Sequence, residues 1–142
     1  MLRPTAFWDS SALIPLCVLQ PKTDTARRLY ENYEIVVWWA TQVEMISGLT
    51  RLERMGQITQ EQFLVGKRIA RGIVRNWRSV GSTNSLAVHA CSLLELYPLR
   101  AADALQLAAA LEWCEGKPKG RVFLTFDKRL GESAVQAGFT LE

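Results

Sequence analysis

Histidine is almost missing from this sequence. His89 is the single copy among 142 residues, and it lies in an apolar stretch far from any run of acids, so it reads as a packing residue rather than a catalytic base. Cysteine is scarce too: Cys17, Cys91 and Cys114 are odd in number, far apart and set among apolar neighbours. That pattern argues against a disulfide frame or a zinc site and predicts reduced, packed thiols, as in a cytoplasmic protein. No apolar run nears the roughly 18 residues that a membrane span requires. The opening Met1-Leu2-Arg3-Pro4 reaches Asp9 before any long apolar region develops, unlike a signal peptide. Repeats, low-complexity tracts and linkers are lacking, so residues 1–142 are expected to form one domain. Acids are absent between Gln62 and Leu94, while Lys67, Arg68, Arg71, Arg75 and Arg78 all fall there. Those five cations exceed the net charge of +3 of the whole chain, so the remainder is mildly acidic. The asymmetry points toward a polyanionic partner.

What is present is an alternation of strand and helix signals. Thr5 to Trp8 is a short apolar strand, and Ser10 or Ser11 can cap a helix that runs to about Leu19 before Pro21. Thr23 opens a second helix with Ala26, Leu29, Tyr30 and Tyr33 as its apolar side. Ile35 to Trp39 is apolar on both faces, as a central parallel strand would be. Thr41 begins a helix with Val43, Met45, Ile46, Leu49 and Leu52 inward and Gly56 as its stop. Thr59-Gln60-Glu61-Gln62 is a capping box before a long helix whose apolar residues are Phe63, Leu64, Ile69, Ile73, Val74 and Trp77. Gly81 to Ser85 is a polar break, and Leu86 to Leu96 is another helix. Arg100 to Cys114, rich in alanine, predicts a buried helix. Val122 to Thr125 is a strand, followed by a helix to Ala137, a stop at Gly138 and a last short strand at Phe139 to Leu141. The expected class is α/β: three layers, with a central, mostly parallel sheet flanked by helices.

Four acids fall at comparable junctions. Asp9 follows the first strand, Glu44 lies in the first turn after the second, Asp103 opens the alanine-rich helix, and Asp127 stands two residues past Thr125. In a parallel sheet the strand-linked acids share the carboxyl edge, where ligands gather. Carboxylates converging there repel one another unless a cation neutralises them, and an all-oxygen set suits Mg²⁺ or Mn²⁺. Each acid also has a structural reading. Asp9 and Asp127 are good helix caps, Glu44 completes a Thr41-x-x-Glu44 capping box, and a helix N-terminus eases the cost of placing Asp103 in apolar surroundings.

The residues resemble those of a known family. Phe7-Trp8-Asp9-Ser10-Ser11-Ala12-Leu13 is similar to the opening motif of PIN-domain proteins, and Thr41-x-x-Glu44 to their second acid. Leu99-Arg100-Ala101-Ala102-Asp103-Ala104-Leu105-Gln106-Leu107-Ala108 is the most specific match. Phe123 to Leu130 is similar to the closing motif, and Gly138-Phe139 to the usual end. The length is that of the stand-alone VapC-type toxins of toxin–antitoxin pairs. The resemblance implies a PIN-like fold and a Mg²⁺- or Mn²⁺-dependent endoribonuclease that hydrolyses RNA phosphodiester bonds. It further implies a cytoplasmic homodimer held inactive by a small cognate antitoxin. Carried over by position, Asp9, Glu44, Asp103 and Asp127 form the catalytic and metal site, with Ser10 and Thr125 as polar helpers. Two departures, Gln106 where many members have His and Gln20-Pro21 where an acid is common, remove no metal ligand and bear on substrate choice.

Arg68, Arg71, Arg75 and Arg78 are spaced three, four and three, which predicts one basic helix face for RNA phosphates; the competing reading is a solvated face. Trp8, Trp38 and Trp39 read as core or dimer contacts rather than base-stacking platforms. The alternative function is a catalytically silent PIN-fold module that binds RNA or protein. A phosphatase with an aspartyl nucleophile is weaker, because Ser11 stands where such enzymes carry a second Asp.

Overall fold

The structure, a computed structural model, describes residues 2–142. Among them the chain forms β1 (Thr5–Trp8), α1 (Ser10–Cys17), α2 (Thr23–Asn32), β2 (Glu34–Trp38), α3 (Thr41–Arg54), α4 (Gln60–Val74), β3 (Arg78–Val80), α5 (Asn84–Leu96), α6 (Ala101–Trp113), β4 (Val122–Leu124) and α7 (Lys128–Ala137). The strands make one parallel sheet in the order β3-β2-β1-β4. Successive side chains of a strand point to opposite faces, and here both faces are apolar. Phe7, Val36, Trp38 and Phe123 enter one core with α5, α6 and α7, whereas Ala6, Trp8, Val37 and Leu124 enter a second with α1, α3 and α4. Three layers follow directly from that doubly apolar alternation.

The parallel register puts Trp8 beside Leu124 and Trp38 beside Val80, so all four strands end at a common edge. The loops that carry acids leave from it. On the far side of the sheet α6 comes close because it is built from alanine: Ala104, Ala108, Ala109 and Ala110 are fully buried. Gly138 stops α7 with φ of +115°, a left-handed conformation that side chains disfavour.

Several sequence expectations are corrected. β3 arises where no strand was expected, because its three residues carry a single apolar side chain and no alternation to detect. Consequently α4 ends at Val74, and Trp77 and Arg78 lie outside it. The last strand reduces to one parallel bridge between Val122 and Thr140. Thr59 and Gln62 do form a reciprocal capping box, but Thr41 does not, since Ala40 is the N-cap of α3 and makes no side-chain cap. Thr41 is fully buried instead. Val43, expected inward, is exposed, and so are Leu64 and Ile69 among the apolar residues of α4; of the tryptophans read as core or dimer contacts, Trp8 and Trp38 are buried and Trp39 is exposed. Cys17 and Cys114 are packed thiols, but Cys91 is exposed, and His89 lies on the open side of α5 rather than in the core. The errors of burial share one cause: helical spacing identifies a stripe, but only the neighbouring elements decide how wide a stripe is covered.

Candidate active site

Asp9 is buried at the end of β1 and is the N-cap of α1. Its backbone N–H donates to the Leu124 carbonyl at 2.9 Å, which ties the residue to the end of β4. Its Oδ2 accepts from Ser11 Oγ at 2.6 Å, from Ser11 N–H at 3.4 Å and from Thr125 Oγ1 at 2.9 Å. Ser11 Oγ in turn accepts from the Phe126 N–H at 2.9 Å, and Asp127 N–H donates to Thr125 Oγ1 at 3.0 Å. The loops after β1 and β4 are thereby joined through two hydroxyls. The hydrogen bonds of Ser11 and Thr125 to Asp9 all end on Oδ2, which leaves Oδ1 for a ligand. Ser11 does what was expected of Ser10: Ser10 is half-buried and lines the neighbouring cavity. With two adjacent serines, sequence alone could not choose between them.

Glu44 is half-buried in the first turn of α3. Its Oε1 accepts from Gln106 Nε2 at 2.5 Å and from Trp38 Nε1 at 3.4 Å. Gln106 is fully buried on α6 and also approaches Thr41 Oγ1 at 3.4 Å, while its own Oε1 is buried without a partner. In the sequence Gln106 is only a departure from the family pattern, and no local signal there connects Trp38 to the site. Asp103 is half-buried in the first turn of α6. Asp127 is exposed and caps α7, accepting the Leu130 N–H at 3.0 Å.

The acids lie within range of one another's charge. Burial, first, raises the Glu44 carboxyl to about 7, helped by the charges of Asp9 and Asp103 and opposed by the Gln106 and Trp38 hydrogen bonds. Asp103 is raised by burial, then by Asp127 and Asp9, against the nearby backbone and charge of Arg100. Asp9 is raised by burial, and the hydrogen bonds from Ser11 and Thr125 pull it back in part. Among the described residues, no three of His, Cys, Asp and Glu stand in a metal-holding arrangement as the side chains sit. The chemistry of the donor set nevertheless fits a hard divalent cation: it is all oxygen, its carboxylates repel one another, and three of them (Asp9, Glu44 and Asp127) are pinned by one oxygen with the other left over.

The arginines of the acid-free segment do not form one helix face. Arg68 and Arg71 are exposed on α4, Arg75 is its C-cap, and Arg78 belongs to β3 opposite Val36. Since β3 runs parallel to β2, the chain leaves α4 on the amino side of the sheet, away from the edge where Asp9 lies.

A sequence profile described as PIN domain matches residues 6–135. The chain belongs to the PIN domain family. Two relatives from Mycobacterium tuberculosis, ribonuclease VapC45 and ribonuclease VapC49, are each 27% identical over 136 residues, covering 95% of this chain and 92% of theirs. Among solved structures, a toxin–antitoxin complex from Klebsiella pneumoniae superposes with a TM-score of 0.66 at 16% identity, covering 96% of this chain and 97% of that one. VapC20 of Mycobacterium tuberculosis, described as a toxin that cleaves the sarcin–ricin loop, gives a TM-score of 0.66 at 19% identity with the same coverage of 96% and 97%. These structural likenesses concern the PIN fold. None of the described helices is long and apolar enough to cross a membrane.

Proposed function

We propose that this PIN-domain protein is an endoribonuclease, the toxin of a toxin–antitoxin pair, and that it hydrolyses RNA phosphodiester bonds with Mg²⁺ or Mn²⁺. The observation that carries the reading is the set of acids from four separate segments that feel one another's charge at the carboxyl edge of the sheet. Ribonuclease relatives that align over nearly the whole chain support it.

Asp9 and Asp103 would hold the cation, with Glu44 and Asp127 assisting directly or through water. Such an ion neutralises charge on the phosphoryl oxygens and acidifies water. The chain's own residues do the rest. Ser11 and Thr125 keep Asp9 in one orientation by occupying Oδ2. Gln106 and Trp38 do the same for Glu44 at Oε1. With Oε1 so engaged, Glu44 keeps Oε2 to take the proton of the attacking water. Arg68, Arg71, Arg75 and Arg78 add long-range attraction for a polyanion. In the same reading the protein is a cytoplasmic homodimer silenced by a small antitoxin.

The test is cleavage of RNA with Mg²⁺ or Mn²⁺, after chelation, and with Asp9→Asn and Asp103→Asn. Each substitution and chelation should lower the rate by about 10²-fold or more. Cleavage that survives all three refutes the metal-dependent reading. Absence of cleavage in the intact protein, with RNA still bound, would make it a silent binding module.

A further inference from the structure

Glu44 opens into a groove that holds a cation from outside the acid-free segment. A cavity of about 470 Å³ lies between α1 and α3, with Ser10, Ser11 and Ile14 on one wall and Glu44, Gly48 and Arg51 on the other. Positions 44, 48 and 51 are four and three apart, so they share one face of α3. The rise of 1.5 Å per residue separates Glu44 from Arg51 by about 10 Å along the helix. Ile14 reaches across to α3 at Gly48, where a Cβ would run into the end of its side chain. Arg51 also lines a second cavity of about 590 Å³ on the outer side of α3, shared with Arg54. Arg51 is exposed, and the single ion pair among the described residues, Arg3–Glu34, does not involve it.

We propose that Arg51 is a substrate-binding residue: it grips a backbone phosphate of single-stranded RNA neighbouring the scissile one, as the strand runs from the acid cluster along the groove between α1 and α3. This rests on the ribonuclease reading above for the position of the scissile phosphate. The favoured occupant is RNA because the groove runs from a site built for phosphoryl chemistry to an unpaired guanidinium, the fork that fits a phosphate. The acids alone would repel the strand, and Arg51 is the cation lining the groove that contains Glu44. A contact to phosphate positions the strand without reading its sequence.

The experiment measures binding of a mixed-sequence single-stranded RNA oligonucleotide by anisotropy, across about 50 to 200 mM salt. The Asp103→Asn background prevents turnover during the measurement. Arg51→Ala should weaken binding about tenfold irrespective of sequence and reduce the slope of log affinity against log salt by about 0.7, the loss of one phosphate contact on a single strand. Arg51→Lys should keep the slope, and Arg28→Ala on α2 should change neither quantity. An affinity and slope unchanged in Arg51→Ala overturn the proposal and leave the groove to another occupant, such as a protein segment. The binding measurement needs no cleavage. Failure of the intact protein to cut RNA, beside a clear Arg51 effect, would therefore sink the nuclease reading and leave Arg51 as a phosphate contact on a bound, uncut strand.

Discussion

Gln106 shows how much can hang on one uncharged side chain. Its amide nitrogen donates to Glu44 and Thr41 and its Oε1 is left buried and unpaired, a cost of about 1–3 kcal/mol. The return is a fixed Glu44 in a helix that has no side-chain cap of its own. Gln106→Leu keeps the volume, removes the orphaned oxygen and frees Glu44 to turn. It also strips the buried Thr41 Oγ1 of its partner, so the melting temperature should change little, while Mn²⁺ affinity by calorimetry falls about tenfold or more, as when the support of a ligand is lost. Unchanged Mn²⁺ affinity would show that Glu44 needs no such support. At this scale sequence was informative about the acids and poor about their partners. A carboxylate at a strand end is visible in a string of letters, but the choice of Ser11 over Ser10, or the reach of Trp38 to Glu44, depends on side-chain direction across chain-distant segments.

Among the elements, α6 bears the closest constraint. Its alanines lie against the sheet and α5, and Ala108 has no exposed surface at all. Close-packed interiors do not absorb added methyl groups freely. Ala108→Leu should cost about 1–3 kcal/mol, seen as a lower denaturation midpoint in urea; a neutral result would mean that α6 can lift from the sheet. An alanine-rich run between Arg100 and Cys114 was sufficient to expect this helix and its burial. The strand β3 was not legible, because three residues at a sheet edge carry no period, and an arginine and a serine there suit an edge that discourages further pairing. Missing it extended α4 in expectation and drew Arg78 onto a helix it does not join.

For the molecule as a whole, the acid cluster sets a pH dependence of stability opposite to the usual acidic one. The Glu44 carboxyl is raised from 4.5 to about 7 in the folded protein, and Asp9 and Asp103 shift the same way. Between those two values the folded state binds more protons than the unfolded chain, so stability falls as pH rises through the window and levels off above it. Thermal melts of the metal-free protein should show that decline, and Glu44→Gln should flatten it. A bound cation should act in the same direction as that substitution. Mn²⁺ at about a hundredfold excess over its dissociation constant should add about 2.7 kcal/mol to the intact protein and much less to Asp9→Asn. Equal shifts in the two would place the ion elsewhere. Sequence by itself determined the order of nearly all elements, the parallel class of the sheet and the four junctions that carry acids, because period, caps and stops are local and survive in one dimension. Tertiary structure alone decided which hydroxyl and which amide steady those acids, how much of each helix is covered, and which arginine lines the acid groove. Those are matters of contact between chain-distant surfaces: helical spacing alone aligns Arg51 with Glu44 on α3, but the α1 wall that makes a groove of that face exists only once the layers have packed.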